Sequence, residues 1–211
     1  MTPSTQPPGN PAPTGRRERN KQRVKERLYQ SALSLFAEQG YEHTSIDEIA
    51  ERADVARGTF FNYFQRKEDL IAAWGDQRRE RLQQGIRESM NTENIETAAY
   101  LDRCMTVLSA LNNEEREVTR AMLVAWVKTG RPILEEPYAA EIFAEAVRTG
   151  LSRGDLAADA DPERVGNLLR DAYLGTLYRW VRQPNDHFQL YMELRAVVSI
   201  VLNGITRRPP A

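Results

Sequence analysis

Residues 44–64, TSIDEIAERADVARGTFFNYF, constrain this chain more than any other stretch. They read as two short helices around a tight turn. Ser45 is placed to cap the first helix, and Glu48, three residues on, completes a capping-box pattern. Ile46, Ile49, Ala50 and Ala53 recur at helical spacing and give that helix one face to bury. Asp54 and Val55 make the turn, since aspartate is one of the few non-glycine residues that enter the left-handed region readily. A second helix is predicted over 57–63. Phe60 and Phe64, one turn apart, face inward. Gly58 and Asn62 then fall on the opposite side, flanked by Thr59, Phe61 and Tyr63. Arg57 and Gly58 open this helix, where backbone N–H groups are unpaired and the macrodipole favours anions.

A helix-turn-helix of this kind places its second helix in the major groove of DNA, where each base pair shows a distinct donor and acceptor pattern. Seven residues would give a helix roughly 11 Å long, enough to meet a few base pairs. Arg57 has the fork to reach a guanine edge, Thr59 and Tyr63 have hydroxyls for phosphates, and Gly58 lets backbone approach backbone. The competing reading is a plain helical hairpin buried in a core. Phe61, Asn62 and Tyr63 beside Arg57 fit that poorly.

A wider stretch, 27–74, RLYQSALSLFAEQGYEHTSIDEIAERADVARGTFFNYFQRKEDLIAAW, resembles the DNA-binding domain of the TetR family of bacterial transcriptional regulators. The resemblance rests on ALSLFAEQGYEHTSIDEIA, the helix-ending Gly40, the GTFFNYF segment and the following KEDL. It covers about a quarter of the chain. Beyond it, the likeness is one of helical layout. The resemblance implies DNA contacts from Arg57, Gly58, Thr59, Phe61, Asn62, Tyr63 and Lys67, with Thr44 near a phosphate. Three positions depart from the family's commonest pattern. Ala56 stands where a serine usually caps the recognition helix, Arg66 where a serine often begins the next helix, and Phe61 where a tyrosine often offers its hydroxyl.

The net charge is only −1, so bulk charge does not announce nucleic acid. Its distribution does. Residues 1–67 hold 11 Lys or Arg against 8 Asp or Glu, and residues 68–211 hold 18 against 22. A basic head on a mildly acidic body suits DNA binding. The single cysteine, Cys104, excludes a disulfide framework within the chain and leaves two readings, a buried inert thiol or a redox-sensing site. No apolar run of the signal-peptide type opens the sequence, and AVVSIVL at 196–202 is too short to span a bilayer. A cytoplasmic protein without membrane association is expected.

Residues 1–19 are expected to be a disordered tail with a basic end, 20–82 the helix-turn-helix domain with the start of a linker helix, and 83–211 a helical regulatory and dimerisation domain. Between 16 and 27 the chain carries seven basic residues against two glutamates, read either as a solvated helix start or as an arm that touches phosphate or the minor groove. The first helix is predicted over 22–39, with Leu28, Ala32, Leu35 and Phe36 inside and Gly40 ending it in the left-handed conformation. The linker helix is predicted over 67–90, with Leu70, Ile71, Trp74, Leu82 and Ile86 as its apolar side. The body reads as helices over 95–111, 115–129, 137–153, 162–182 and 187–205, punctuated at 91–94, 112–113, 130–132, 154–162 and 183–186. Asp161 before Pro162 is a good helix start. The fold class is therefore all-α, an N-terminal three-helix unit followed by a helical bundle.

The last two helices are apolar on more than one side and so need more than one neighbour. A second copy is one such neighbour, as the family resemblance also implies, through Leu168, Ala172, Gly175, Thr176, Val197, Val198 and Val201. The alternative is a pair of helices central in one domain. Most of the large apolar residues of the body are core. By the resemblance, Tyr100, Met105, Leu108, Met122, Trp126, Phe143 and Tyr173 are candidates to line a pocket for an apolar or amphipathic effector.

GLSRG at 150–154 fits the nucleophile-elbow pattern, and His187 follows in hydrolase order, but that chemistry needs a strand before the serine. Here a helical segment, IFAEAVRT, precedes it. With His43 and His187 the only histidines, no His-rich metal site is available, and no catalytic residue, metal or cofactor is expected. The resemblance implies a homodimer on a near-palindromic duplex, released by a small-molecule effector. Repressor and activator both stay open, as does, more remotely, a helical carrier or enzyme.

Overall fold

The computed structural model describes residues 15–88, 95–134, 138–183 and 189–205. Among them every regular element is an α-helix. These are α1 (Arg16–Gln39), α2 (Ile46–Arg52), α3 (Arg57–Phe60), α4 (Asp69–Glu88), α5 (Thr97–Glu114), α6 (Arg116–Lys128), α7 (Arg131–Leu134), α8 (Tyr138–Arg153), α9 (Pro162–Arg182) and α10 (Leu190–Ile205). The all-α expectation holds. None of these helices is long and apolar enough to cross a membrane.

The head forms because α1, α2 and α3 each bring one apolar face to a shared core. Leu28, Ala32 and Phe36 of α1 meet Ile49 of α2 and Phe60 of α3, all fully buried. The capping box forms as read: Glu48 donates its backbone N–H to the Ser45 hydroxyl oxygen at 3.2 Å, and Ser45 returns its own N–H to the Glu48 carboxylate at 2.7 Å. The Ser45 hydroxyl also donates to that carboxylate at 2.8 Å, and Gln39 adds a third donor at 3.1 Å. These bonds, led by the Ser45 N–H, hold the Glu48 carboxyl down at about 2. Asp54 takes a φ of 53°, the left-handed turn expected of it.

Two readings of α1 need correction. The helix starts at Arg16, so residues 16–19 are helical and not part of a disordered tail. It ends at Gly40 with φ 85° and ψ 156°, a positive-φ extended conformation essentially confined to glycine and not the left-handed helical one. Gly40 still donates its N–H to Phe36 O at 3.0 Å, which closes the last turn.

α4 leaves the head and enters the body. Its start is Asp69, later than predicted, because the Asp69 carboxylate accepts the N–H groups of Gln65 and Arg66 at 2.8 and 2.9 Å. The buried side of α4 is Leu70, Ile71, Trp74, Leu82 and Ile86, as read, with one addition. Arg78 sits inside the same stripe, one turn from Trp74 and one from Leu82, and is 6% exposed. Its guanidinium stacks on the Trp74 ring at 4.6 Å and donates to the Asn112 side-chain oxygen. Asn112 in turn donates to Leu108 O at 2.6 Å and to the Tyr173 hydroxyl at 3.0 Å. This explains why Asn112 and Asn113 do not break α5, against the expectation. Asn112 is fully buried and satisfied within the helix bundle.

The body otherwise follows the predicted helices, with α7 as an extra turn after Gly130. Asp161 caps α9, accepting from Arg164 N at 3.0 Å, with Pro162 at the first helical position. The serine of the elbow-like pattern, Ser152, lies in the last turn of α8 and donates to Thr149 O at 2.7 Å. The residues directly before it are helical, where the elbow needs a strand. His187 and the punctuation at 91–94 and 184–186 lie outside the described residues. Cys104 is fully buried in the core, and burial pushes its thiol up to about 12, which keeps it protonated and favours the inert reading.

Two predictions follow from these interactions. Asn112→Ala strands a buried guanidinium and the Tyr173 hydroxyl, so it should cost about 1–3 kcal/mol of stability in urea denaturation. Asn113→Ala, one residue on and exposed, should stay within about 0.5 kcal/mol of wild type. Glu48 has a folded pKa near 2 against an ordinary 4.5, so its contribution is complete above 4.5 and is lost as pH falls toward 2. The stability difference between wild type and Glu48→Gln should therefore be constant at neutral pH and shrink through that acid window.

Candidate nucleic-acid interface

α3 is a single turn, too short to be stable alone. It is held by its aromatic residues. Phe60 is fully buried and Phe64 nearly so, with ring centroids 5.6 Å apart. The regular helix is shorter than predicted. Beyond Phe60 the chain continues in tighter bonds, Asn62 N to Thr59 O at 3.2 Å and Tyr63 N to Phe60 O at 2.9 Å, before Phe64 N returns to Phe60 O. With both anchors inside, the other side is forced out. Arg57, Gly58, Phe61 and Asn62 are exposed, and Thr59 and Tyr63 are half-buried. Phe61, at 46%, is a large aromatic ring left in water, edge-on to Phe60.

Arg57 lies 3.3 Å from the Asp47 carboxylate at the start of α2, with both side chains about 63% exposed. An exposed pair of this kind is worth at most about 1 kcal/mol, so it orients the guanidinium without committing it. Ala56 makes no side-chain cap, and in the first turn Thr59 donates its N–H to Ala56 O at 2.8 Å.

Two expected contacts are turned inward. Thr44 is 1% exposed and donates its hydroxyl to Gly40 O at 2.9 Å, so its side chain does not present itself to a phosphate. Lys67 donates to Tyr41 O at 2.6 Å and Thr44 O at 2.8 Å, with its ammonium 4.2 Å over the Tyr41 ring. Burial lowers its pKa. The loop between α1 and α2 has carbonyls without helical partners, and Lys67 is the donor that reaches them. Only its third N–H remains for a ligand.

The candidate effector residues all belong to, or pack against, the apolar core that runs through both head and body. Met105, Leu108, Met122, Phe143 and Tyr173 are buried, and Tyr100 and Trp126 pack against them. Burial pushes the Tyr100 hydroxyl up to about 12. An open cavity of about 340 Å³ lies elsewhere, between α4 and α5, and touches none of the seven. Arg81, Gln84, Arg103 and Glu114 line it, with Gly85 at its floor. The sequence signal for this groove is the glycine inside a helix. A Cβ at Gly85 would come within 2.8 Å of Val107, so the two helices approach closely there.

The outer faces of α9 and α10 are partly as read. Leu168 is 54% exposed, and Ala172, Gly175, Val197 and Val201 are half-buried. Thr176 and Val198 are corrections. Thr176 is fully buried and bonded to Ala172 O, and Val198 is 4% exposed, so both belong to the chain's own core. Sequence reading missed Met192, and Ile200 is the most exposed large apolar residue among the described residues, at 72%.

Residues 28–74 match the family model for bacterial regulatory proteins of the tetR family. The transcriptional regulator TcmR of Streptomyces glaucescens is 44% identical over 69 residues, 33% of this chain and less than a third of that protein. The transcriptional repressor KstR of Rhodococcus jostii is 26% identical over 193 residues, 88% of this chain and 85% of that one. Among solved structures, the repressor FadR of Thermus thermophilus, in complex with lauroyl-CoA, aligns with a TM-score of 0.66 at 27% identity. The alignment covers 89% of this chain and 98% of FadR. The match falls on the head whose geometry is described above, and the likeness in fold continues through the body. Residues 28–74 thus carry the sequence pattern of the tetR family of bacterial regulatory proteins, and over most of its length the chain is similar in fold to FadR, a repressor of that family.

Proposed function

We propose that this protein is a homodimeric, ligand-released repressor that reads a near-palindromic operator with α3. The observation that carries this is the exposure of Arg57, Gly58, Phe61 and Asn62 on a turn pinned from behind by Phe60 and Phe64. Arg57 reads a guanine edge, exchanging its weak pairing with Asp47 for a bidentate contact. Thr59 and Tyr63 take phosphates. Residues 20–82 act as the reading head and 83–211 as the regulatory body, in a cytoplasmic protein that carries out no catalysis.

Two copies associate through α9 and α10, using Leu168, Ala172, Gly175, Val197 and Val201 together with the exposed Met192 and Ile200. This sets two copies of α3 in successive major grooves, about 34 Å apart. The effector enters the body beside the core that holds Met105, Met122 and Tyr173. It acts by binding more tightly to a dimer whose heads no longer match that spacing. The likeness to FadR bound to lauroyl-CoA supports an acyl-CoA as the first compound to try.

Sites selected from random DNA would supply the operator. Arg57→Ala should then weaken operator binding by about 1–3 kcal/mol and spare random duplexes. Equal losses on both would remove Arg57 from base recognition. In fluorescence anisotropy, lauroyl-CoA should release the wild-type protein from its operator, and release that is identical with free CoA would rule out recognition of the acyl chain.

A further inference from the structure

The first turns of α1 are an exposed cationic helix. From Gly15 to Arg23 every residue is exposed, yet α1 is continuous from Arg16. Arg17, Lys21 and Lys25 stand at four-residue steps and so form one row. Eleven and fifteen residues on from Arg17, at nearly the same helical angle, lie Leu28 and Ala32, both fully buried in the head. The cationic row is therefore the outward continuation of the side that packs the core. Its C-terminal member lies close to the recognition segment, since the Lys25 ammonium is 6.0 Å from the ring centroid of Phe64, the residue that follows Tyr63. None of Arg17, Lys21 and Lys25 forms an ion pair among the described residues. Like charges one turn apart repel, and cations at a helix N-terminus oppose the macrodipole. Both penalties are relieved by polyanion alongside.

We propose that this row is a second DNA contact, a clamp on the sugar–phosphate backbone next to the duplex read by α3. It rests on the DNA-binding reading above and goes beyond it. The contact is helical, made by side chains from one face of α1, and indifferent to base sequence.

The test is a triple substitution, Arg17→Gln, Lys21→Gln and Lys25→Gln, with binding to operator and to random duplex measured across a salt series. Affinity for both duplexes should fall together, leaving their ratio unchanged. The slope of log affinity against log salt should flatten by about 2.7 per head engaged, at about 0.9 for each phosphate contact. Circular dichroism checks that the fold is retained. A second variant, Arg16→Gln with Arg23→Gln, removes charge from the other side of the helix and should flatten the slope by much less per charge. A slope unchanged in the triple variant overturns the proposal, as does a loss confined to the operator. Equal flattening per charge in the two variants also overturns it, because net charge and not the face would be responsible. A wild-type protein that binds no duplex fails the DNA-binding reading itself, which separates the two.

Discussion

Burial of Phe60 and Phe64 is the constraint on which the reading head depends. α3 has one regular turn and no side-chain cap, so nothing in its own backbone would keep it helical in water. Its geometry is borrowed from the α1 and α2 core, where Phe60 has no exposed surface. Burying a phenylalanine side chain is worth about 1.5–3 kcal/mol, against about 1–2 kcal/mol for each turn residue ordered, so the turn needs both rings and the rest of the shared core to hold it. The same burial decides the outward face. With positions 60 and 64 inside, helical geometry turns positions 58 and 62 to the opposite side, while Arg57 is exposed as the residue that opens the helix. Presentation of the polar tip is thus a consequence of apolar packing behind it.

The second constraint is mechanical. α4 belongs to both parts of the molecule, and it is joined to the body by polar contacts as well as by packing. Arg78, Asn112 and Tyr173 form a buried chain from α4 through α5 to α9. Around it, Tyr29 of α1 donates to Gln77 of α4 at 2.8 Å, Lys128 of α6 pairs with Glu42, and Arg131 donates to Glu68 O at 3.0 Å. Buried charged hydrogen bonds have few good alternative geometries, so a chain of this kind holds α4 in a defined position. The head is not a loosely tethered bead. The helix that carries it is hydrogen-bonded to α5 and, through Asn112, to α9.

Local chemistry was legible wherever a residue acts on its neighbours. The capping box, the Asp54 turn, the Asp161 cap before Pro162 and the apolar stripes of α1 and α4 all follow from spacings of three or four residues. What was misread involves partners far along the chain. Asn112 looked like a breaker, because an asparagine pair without a partner is one. Tyr173 and Arg78, 61 and 34 residues away, make it a satisfied core residue. Lys67 reads as a phosphate ligand, and two carbonyls, 26 and 23 residues before it, take two of its three N–H groups.

The sequence by itself determined the helical class, the position of the helix-turn-helix and the residues that open its second helix, since these depend on periodicity and capping over a few residues. Only the tertiary structure decided which side of each helix remains free. Thr44, Thr176 and Val198 went inside, while Phe61, Met192 and Ile200 stayed out. A helical pattern shows which residues share a face. It does not show how many neighbours that face will meet, because that number is set by how the other helices stack around it.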